Sequence, residues 1–164
     1  MIVLLDGTDG VGKTTYGRWL VERTGGVLLH WGPPVAGEHW VDAYVAPVAR
    51  WVRDEVVVAD RGWPGSRVWA RMGFHEPTTT EEDWRTLCRW HAKHRATYTL
   101  IVRPVEHIEA TLAGRGEDPG ARATSITAQS VFIDMVLAGE VLYMPVALAT
   151  SDLIHHTRTE NDHA

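Results

Sequence analysis

The sequence predicts an α/β fold in which a five-stranded parallel sheet carries helices on both faces. Three observations lead there. Five short apolar runs, at 2–6, 27–31, 56–60, 98–104 and 141–149, alternate with segments of helical period. The runs are nearly continuous in apolar residues, as strands buried on both faces must be. A glycine-rich loop then joins the first run to the first helical segment. With 164 residues, 45% of them hydrophobic, the chain can bury one sizeable core, so one domain is expected over 1–150, followed by a polar tail at 151–164.

Each element has its own signal. "IVLLD" at 2–6 reads as a buried strand, and the helical spacing of Trp19, Leu20 and Arg23 predicts a helix over 13–24 that Gly25 and Gly26 stop. "VLLHW" at 27–31 is the second strand, ended by Gly32, Pro33 and Pro34. Between 38 and 53, Trp40, Val41, Tyr44, Val45, Val48, Trp51 and Val52 recur at steps of three and four, an amphipathic helix that Pro47 should kink or interrupt. "VVVAD" at 56–60 is the third strand, with a short helix expected at 65–73. Thr79 or Thr80, followed by Glu82 or Asp83, caps a helix that continues through Trp84, Leu87, Cys88 and His91. "YTLIVRP" is the fourth strand, with a short helix at 105–113 whose Val105, Ile108 and Leu112 share one side. Residues 114–124 lack apolar periodicity and read as a mobile loop. A helix is expected at 125–138 and the fifth strand at 141–149.

Charge and cysteine content narrow the function. A formal charge of −5 weighs against a protein whose main work is coating nucleic acid, which needs a basic surface, but permits a local basic pocket for a small anion. The single cysteine, Cys88, allows no internal disulfide and fits a reducing, cytoplasmic setting. No signal-like N-terminal stretch is expected, and no apolar run approaches the ~20 residues of a membrane span. His155 and His156 form only a weak metal-binding dipeptide, and His30 and His75 read as structural.

Gly7, Gly12, Lys13 and Thr14 satisfy the spacing Gly-x-x-x-x-Gly-Lys-Ser/Thr, after a strand and before a helix. Glycines let the backbone curl so that consecutive amides face a phosphate, and the helix adds its positive N-terminal end. Gly10, Val11 and Thr15 complete this P-loop. Lys13 supplies a compact charge for the β- and γ-phosphates, and the Thr14 hydroxyl is a ligand for Mg²⁺. The expected cofactors are therefore ATP and Mg²⁺, on a three-layer P-loop NTPase fold. No Asn-Lys-x-Asp guanine signature is present, which argues against a GTPase switch.

"LLDGTDGVGKTT" resembles the P-loop of thymidylate kinases, "VVVADRGW" resembles their Asp-Arg motif, and "RGED" resembles an arginine-bearing lid, in the right order. "HWGPP" followed by "DRGWPGSRVW" is similar to the short deoxynucleotide kinase-like proteins of phage. The resemblance implies that Asp60 helps hold Mg²⁺ and that Arg61 contacts the acceptor phosphate or the transferred group. It implies that Asp9 bonds the sugar hydroxyl of the acceptor. Arg115, in a short lid at about 114–123, would stabilise the migrating phosphoryl, and Arg122 would share that role or clamp the donor. It also suggests a homodimer, for which the Trp40–Trp51 helix is a candidate surface.

Ligands of such folds bind beyond the carboxyl ends of the strands. Trp31, Pro33, Trp63 and Trp69 there are candidates to stack on a base, and Arg67 or Arg71 to bind a base edge or a phosphate. A neutral hydroxyl acceptor calls for a carboxylate base, whereas a monophosphate calls for arginines. The number of arginines expected near the site favours a deoxynucleoside monophosphate. A nucleoside, a small metabolite or a hydroxymethylated base in DNA remains the alternative, with an ATP-binding regulatory protein of weak turnover as a third.

Overall fold

The computed structural model describes residues 1–32, 40–51, 55–75, 77, 79–141, 144 and 146–150. Five strands, β1 (Ile2–Asp6), β2 (Val27–His30), β3 (Val57–Asp60), β4 (Thr97–Val102) and β5 (Val146–Thr150), pair in parallel in the order β2-β3-β1-β4-β5. The helices are α1 (Lys13–Thr24), α2 (Trp40–Trp51), α3 (Trp63–Arg71), α4 (Glu81–Lys93), α5 (Val105–Gly114) and α6 (Pro119–Leu137). This is the expected α/β architecture.

Side chains alternate across each strand, so an all-apolar strand feeds two cores. Val3, Leu5 and Val58 meet Leu20 and Val21 of α1. Val11, Ile101 and Ala149 meet Ile108 and Leu112 of α5. Ile2, Leu4, Tyr98 and Leu100 face the other way into the largest core, closed by Tyr44 and Val48 of α2, Trp63 of α3, Trp84 and Leu87 of α4, and Phe132 of α6. Asp6 follows Leu4 on this second face, and Asp60 follows Val58 on the first.

Local chemistry sets the helix ends. Gly25, at φ 66°, closes α1 by donating its N–H to the Val21 carbonyl. Thr80 and Asp83 make the reciprocal capping box of α4. Three expectations need correction. Pro47 does not interrupt α2, because Tyr44 and Val48, on either side of it, are both fully buried and hold the flanking turns on the core. Helix α6 starts at Pro119 and not at 125. The Asp118 carboxylate accepts the Ala121 N–H at 2.9 Å, and proline occupies the first turn. Most of the expected loop at 114–124, and of the lid at 114–123, is therefore helix. The fifth strand begins at Val146, while Val141 and Met144 are buried in the main core. Pro33, Pro34 and the tail at 151–164, with His155 and His156, lie outside the described residues. Among the described residues no helix is long and apolar enough to cross a membrane.

Candidate active site

The P-loop arches between β1 and α1. Gly7 has φ 135°, and a Cβ there would collide with the Ile101 carbonyl. Only glycine fits that approach. Gly12 precedes α1 at φ 91° and brings no capping side chain, so the first amides of α1 remain open to an anion. The loop is anchored on both sides. Val11 is buried against α5, Gly10 abuts Leu112, and the Thr8 hydroxyl donates to the Ser125 carbonyl of α6 at 2.6 Å.

Lys13 is only 7% exposed. Its ammonium donates to the Gly7 and Thr8 carbonyls at 2.9 and 2.6 Å and lies 3.8 Å from Asp9 Oδ1. Burial pushes its pKa down, which the Asp9 carboxylate opposes. Next to it, the Thr14 hydroxyl donates to Asp60 Oδ2 at 2.6 Å, and His30 Nδ1 lies 3.1 Å from the same oxygen. Asp60 is fully buried and its Oδ1 has no hydrogen-bond partner. An orphaned carboxylate oxygen beside a hydroxyl suits Mg²⁺, which takes one or two protein oxygens and fills its shell with water and phosphate. Thr14 and Asp60 therefore fit the expected metal. Thr15 stands one residue further along α1, exposed at the same end of the helix.

A cavity of about 440 Å³ opens beside the loop, within the range of small-molecule sites. Asp6, Asp9 and Arg61 give it polar groups, and Trp69, Phe74 and His75 give it an aromatic wall. Trp69 and Phe74 meet edge to face with centroids 5.5 Å apart. Arg61 Nη2 donates to Asp9 Oδ1 at 2.6 Å, joining the Asp-Arg motif to the P-loop. Arg61 holds a left-handed backbone, φ 65°, while its N–H donates to the Leu5 carbonyl. Such a conformation costs a non-glycine residue about 1 kcal/mol or more, and it sets the guanidinium over the cavity.

Asp6 is the residue that the sequence reading missed. It ends β1, is almost wholly buried and lines the cavity. Its carboxylate is seated against Gly65 near the start of α3, where a Cβ would come within 2.5 Å of Oδ1. Burial pushes its pKa up to about 7, although Lys13, the Gly65 amide and Arg61 pull the other way. The signal was present. An acid closing an otherwise apolar parallel strand sits at the carboxyl edge, where this class of sheet binds ligands.

The structure brings Lys13, Thr14, Asp60, Asp9, Arg61 and Trp69 together and sends other candidates elsewhere. Trp63 is fully buried, edge-on to Trp84 at 4.4 Å, so it is core and not a stacking surface. Trp31 packs on Tyr44 at 4.8 Å and on the main core. Arg67 lies 4.2 Å over the Trp84 ring and pairs with Glu81 at 2.8 Å, and Arg71 makes a two-pronged pair with Glu140 at 2.8 and 2.5 Å. Neither lines the cavity. Arg115 caps the end of α5 and is exposed, three residues beyond the Leu112 that abuts Gly10. Arg122 lies in the first turns of α6, with its Nε buried and without a hydrogen-bond partner.

No family model matches the chain, and no curated protein matches it. Solved structures do. The YorR protein of Bacillus subtilis, in complex with phosphorylated GDP, is similar over 100% of this chain and 99% of its own, with a TM-score of 0.73 at 15% identity. Polyphosphate kinase 2 from Arthrobacter aurescens TC1 is similar over 90% of this chain and 60% of its own, with a TM-score of 0.64 at 14% identity. Deoxyadenosine kinase from M. mycoides, with the products dCMP and dCDP bound, is similar over 98% and 100%, with a TM-score of 0.60 at 12% identity. At these identities the likeness establishes the fold, the five-stranded parallel architecture of P-loop kinases.

Proposed function

We propose that this chain transfers the γ-phosphoryl group of ATP to the hydroxyl of a small acceptor of nucleoside type bound in the Asp6–Arg61 cavity. The observation that carries the reading is the juxtaposition of an armed P-loop with that cavity. Lys13, Thr14 and Asp60 stand at the loop, and Asp6, Asp9 and Arg61 line the cavity that opens beside it. Two of the structural neighbours, deoxyadenosine kinase and polyphosphate kinase 2, are named as kinases, which supports the class of reaction.

In this scheme the P-loop amides and Lys13 hold the triphosphate. Thr14 and Asp60 would hold Mg²⁺, which would supply positive charge to the phosphate chain. The acceptor oxygen forms a bond to the γ-phosphorus as the bond to the β-phosphate oxygen breaks. Its proton passes to Asp6, whose raised pKa suits a base working near neutrality. Arg61 steadies the charge on the transferring group. Trp69 and Phe74 offer a planar acceptor a face to stack on.

A deoxynucleoside monophosphate is the second reading. Arg61 in the cavity and Arg115 beyond Leu112 favour it, because an anionic acceptor needs cations and no base. Against it, the Arg67 and Arg71 charges are spent on Glu81 and Glu140. ADP release from ATP and Mg²⁺, measured against deoxynucleosides and their monophosphates, separates the two. Stimulation by nucleosides is expected. Stimulation by monophosphates alone would remove Asp6 as a base, and silence across both sets would overturn the acceptor class.

A further inference from the structure

Arg103 follows β4 and is held by its main chain. Gln129 of α6 accepts the Arg103 N–H at 2.9 Å and donates to the Arg103 carbonyl at 2.8 Å. A buried amide side chain thus uses both of its ends to fix one residue at the carboxyl edge of the sheet. The guanidinium then lies over the P-loop. Its Nη2 is 3.5 Å from where a Cβ of Gly12 would stand.

Arg103 Nε is buried without a hydrogen-bond partner, and no carboxylate pairs with the side chain among the described residues. Leaving a buried charged donor unsatisfied is costlier than leaving a neutral one. The same helix repeats the feature. Residues 122, 125 and 129 follow helical spacing along α6. Ser125 accepts the Thr8 hydroxyl, Gln129 holds Arg103, and the Nε of Arg122 is also buried and unpartnered. Helix α6 therefore fixes Arg103 over a loop built for phosphate and carries a second arginine, Arg122, whose Nε is buried without a partner.

We propose that Arg103 is a binding residue for the phosphate chain of the donor nucleotide, held in place before the nucleotide arrives by the Gln129 clamp. The inference rests on the reading of the P-loop as a triphosphate site. A guanidinium fork matches phosphate oxygens in pairs, which a lysine cannot do. The acceptor cavity is lined by Asp6, Arg61 and Trp69 and does not include Arg103, so the anion it meets is that of the donor.

The test is calorimetric titration of the whole chain with MgATP, MgADP and inorganic tripolyphosphate, alongside thermal melts of the ligand-free protein. Arg103→Gln should weaken all three ligands at least tenfold, with Arg103→Lys in between. It should leave the acceptor KM within twofold, and the ligand-free melting temperature should hold or rise because an unpartnered buried donor is gone. Unchanged affinity in R103Q, or a fall in ligand-free stability up to failure to fold, overturns the proposal. Lys13→Ala run in parallel separates the two levels. If wild type binds ATP, K13A does not, and R103Q is unaffected, only Arg103 is refuted. If wild type binds no phosphate ligand, the triphosphate reading falls and the Arg103 role falls with it.

Discussion

Two groups of arginines flank the site, and they are treated oppositely. On the α3 side, Arg67 and Arg71 are neutralised by Glu81 and Glu140, and Arg67 also lies on the Trp84 face. On the α6 side, Arg103 and Arg122 keep guanidinium nitrogens buried with no partner. Residue type is the same, so the difference lies in what surrounds it. The first group joins α3 to α4 and to Glu140, three residues beyond α6, and so contributes to holding the fold. The second leaves each Nε buried without a partner, and Arg103, which lies over the P-loop, is on our proposal the one that meets an anion. An arginine count made on the sequence alone treats the two groups as one.

The comparison can be pushed from its strongest consequence to its weakest. Lys13→Ala removes the cation at the centre of the loop and should lower kcat by about 10³-fold or more while circular dichroism shows an intact fold. Retention of activity within tenfold of wild type would break the P-loop assignment. Asp6→Asn should lower the turnover of a hydroxyl acceptor by about 10²-fold or more and abolish a rise in rate with pH near 7.

The same substitution has a stability signature of known sign. The Asp6 carboxyl holds its proton more tightly folded, at about 7, than unfolded, at 3.8. Its contribution is fully present below pH ~4 and is lost as pH rises towards 7. Asp6→Asn should therefore flatten that decline and melt higher than wild type at pH 8. A mutant that melts lower at pH 8 would count against a buried, proton-holding Asp6.

Arg115→Ala should lower kcat more than it changes the acceptor KM. An effect confined to KM would take Arg115 out of the transition state. The smallest effect belongs to the neutralised group. Glu140→Gln, which weakens the pairs with Arg67 and Arg71, should cost up to about 1 kcal/mol of stability and leave kcat within twofold, since these pairs are partly solvated. A larger loss of activity than of stability would erase the contrast between the two sides.

The sheet was legible because strands buried on both faces cannot hide their apolar runs, and the P-loop was legible because close backbone approach admits only glycine at Gly7. Partner choice was not legible. Trp63 and Trp69 sit six residues apart on one helix, yet one closes the core against Trp84 and the other lines the cavity. Nothing within α3 says which of the two is core, because its faces are assigned by what packs on it, Trp84 of α4 and helix α6. The start of α6 was legible and was passed over. Asp118 followed by Pro119 is a cap and a first-turn proline, masked by the lack of apolar periodicity in the residues that follow. Asp6 was hidden in plain view as the end of a strand.

The contact of Gly65 with Asp6 binds two distant positions into one choice. A side chain at 65 would strike the acid, and a longer acid at 6 would strike the backbone of α3. The first turn of a helix therefore acts as a gauge for the length of a carboxylate at the end of a strand. Among diverged chains with this fold, the two positions should change together or not at all. That pairing, an aspartate before the P-loop with a bare position at the head of the third helix, is a search signature more selective than the glycine loop alone.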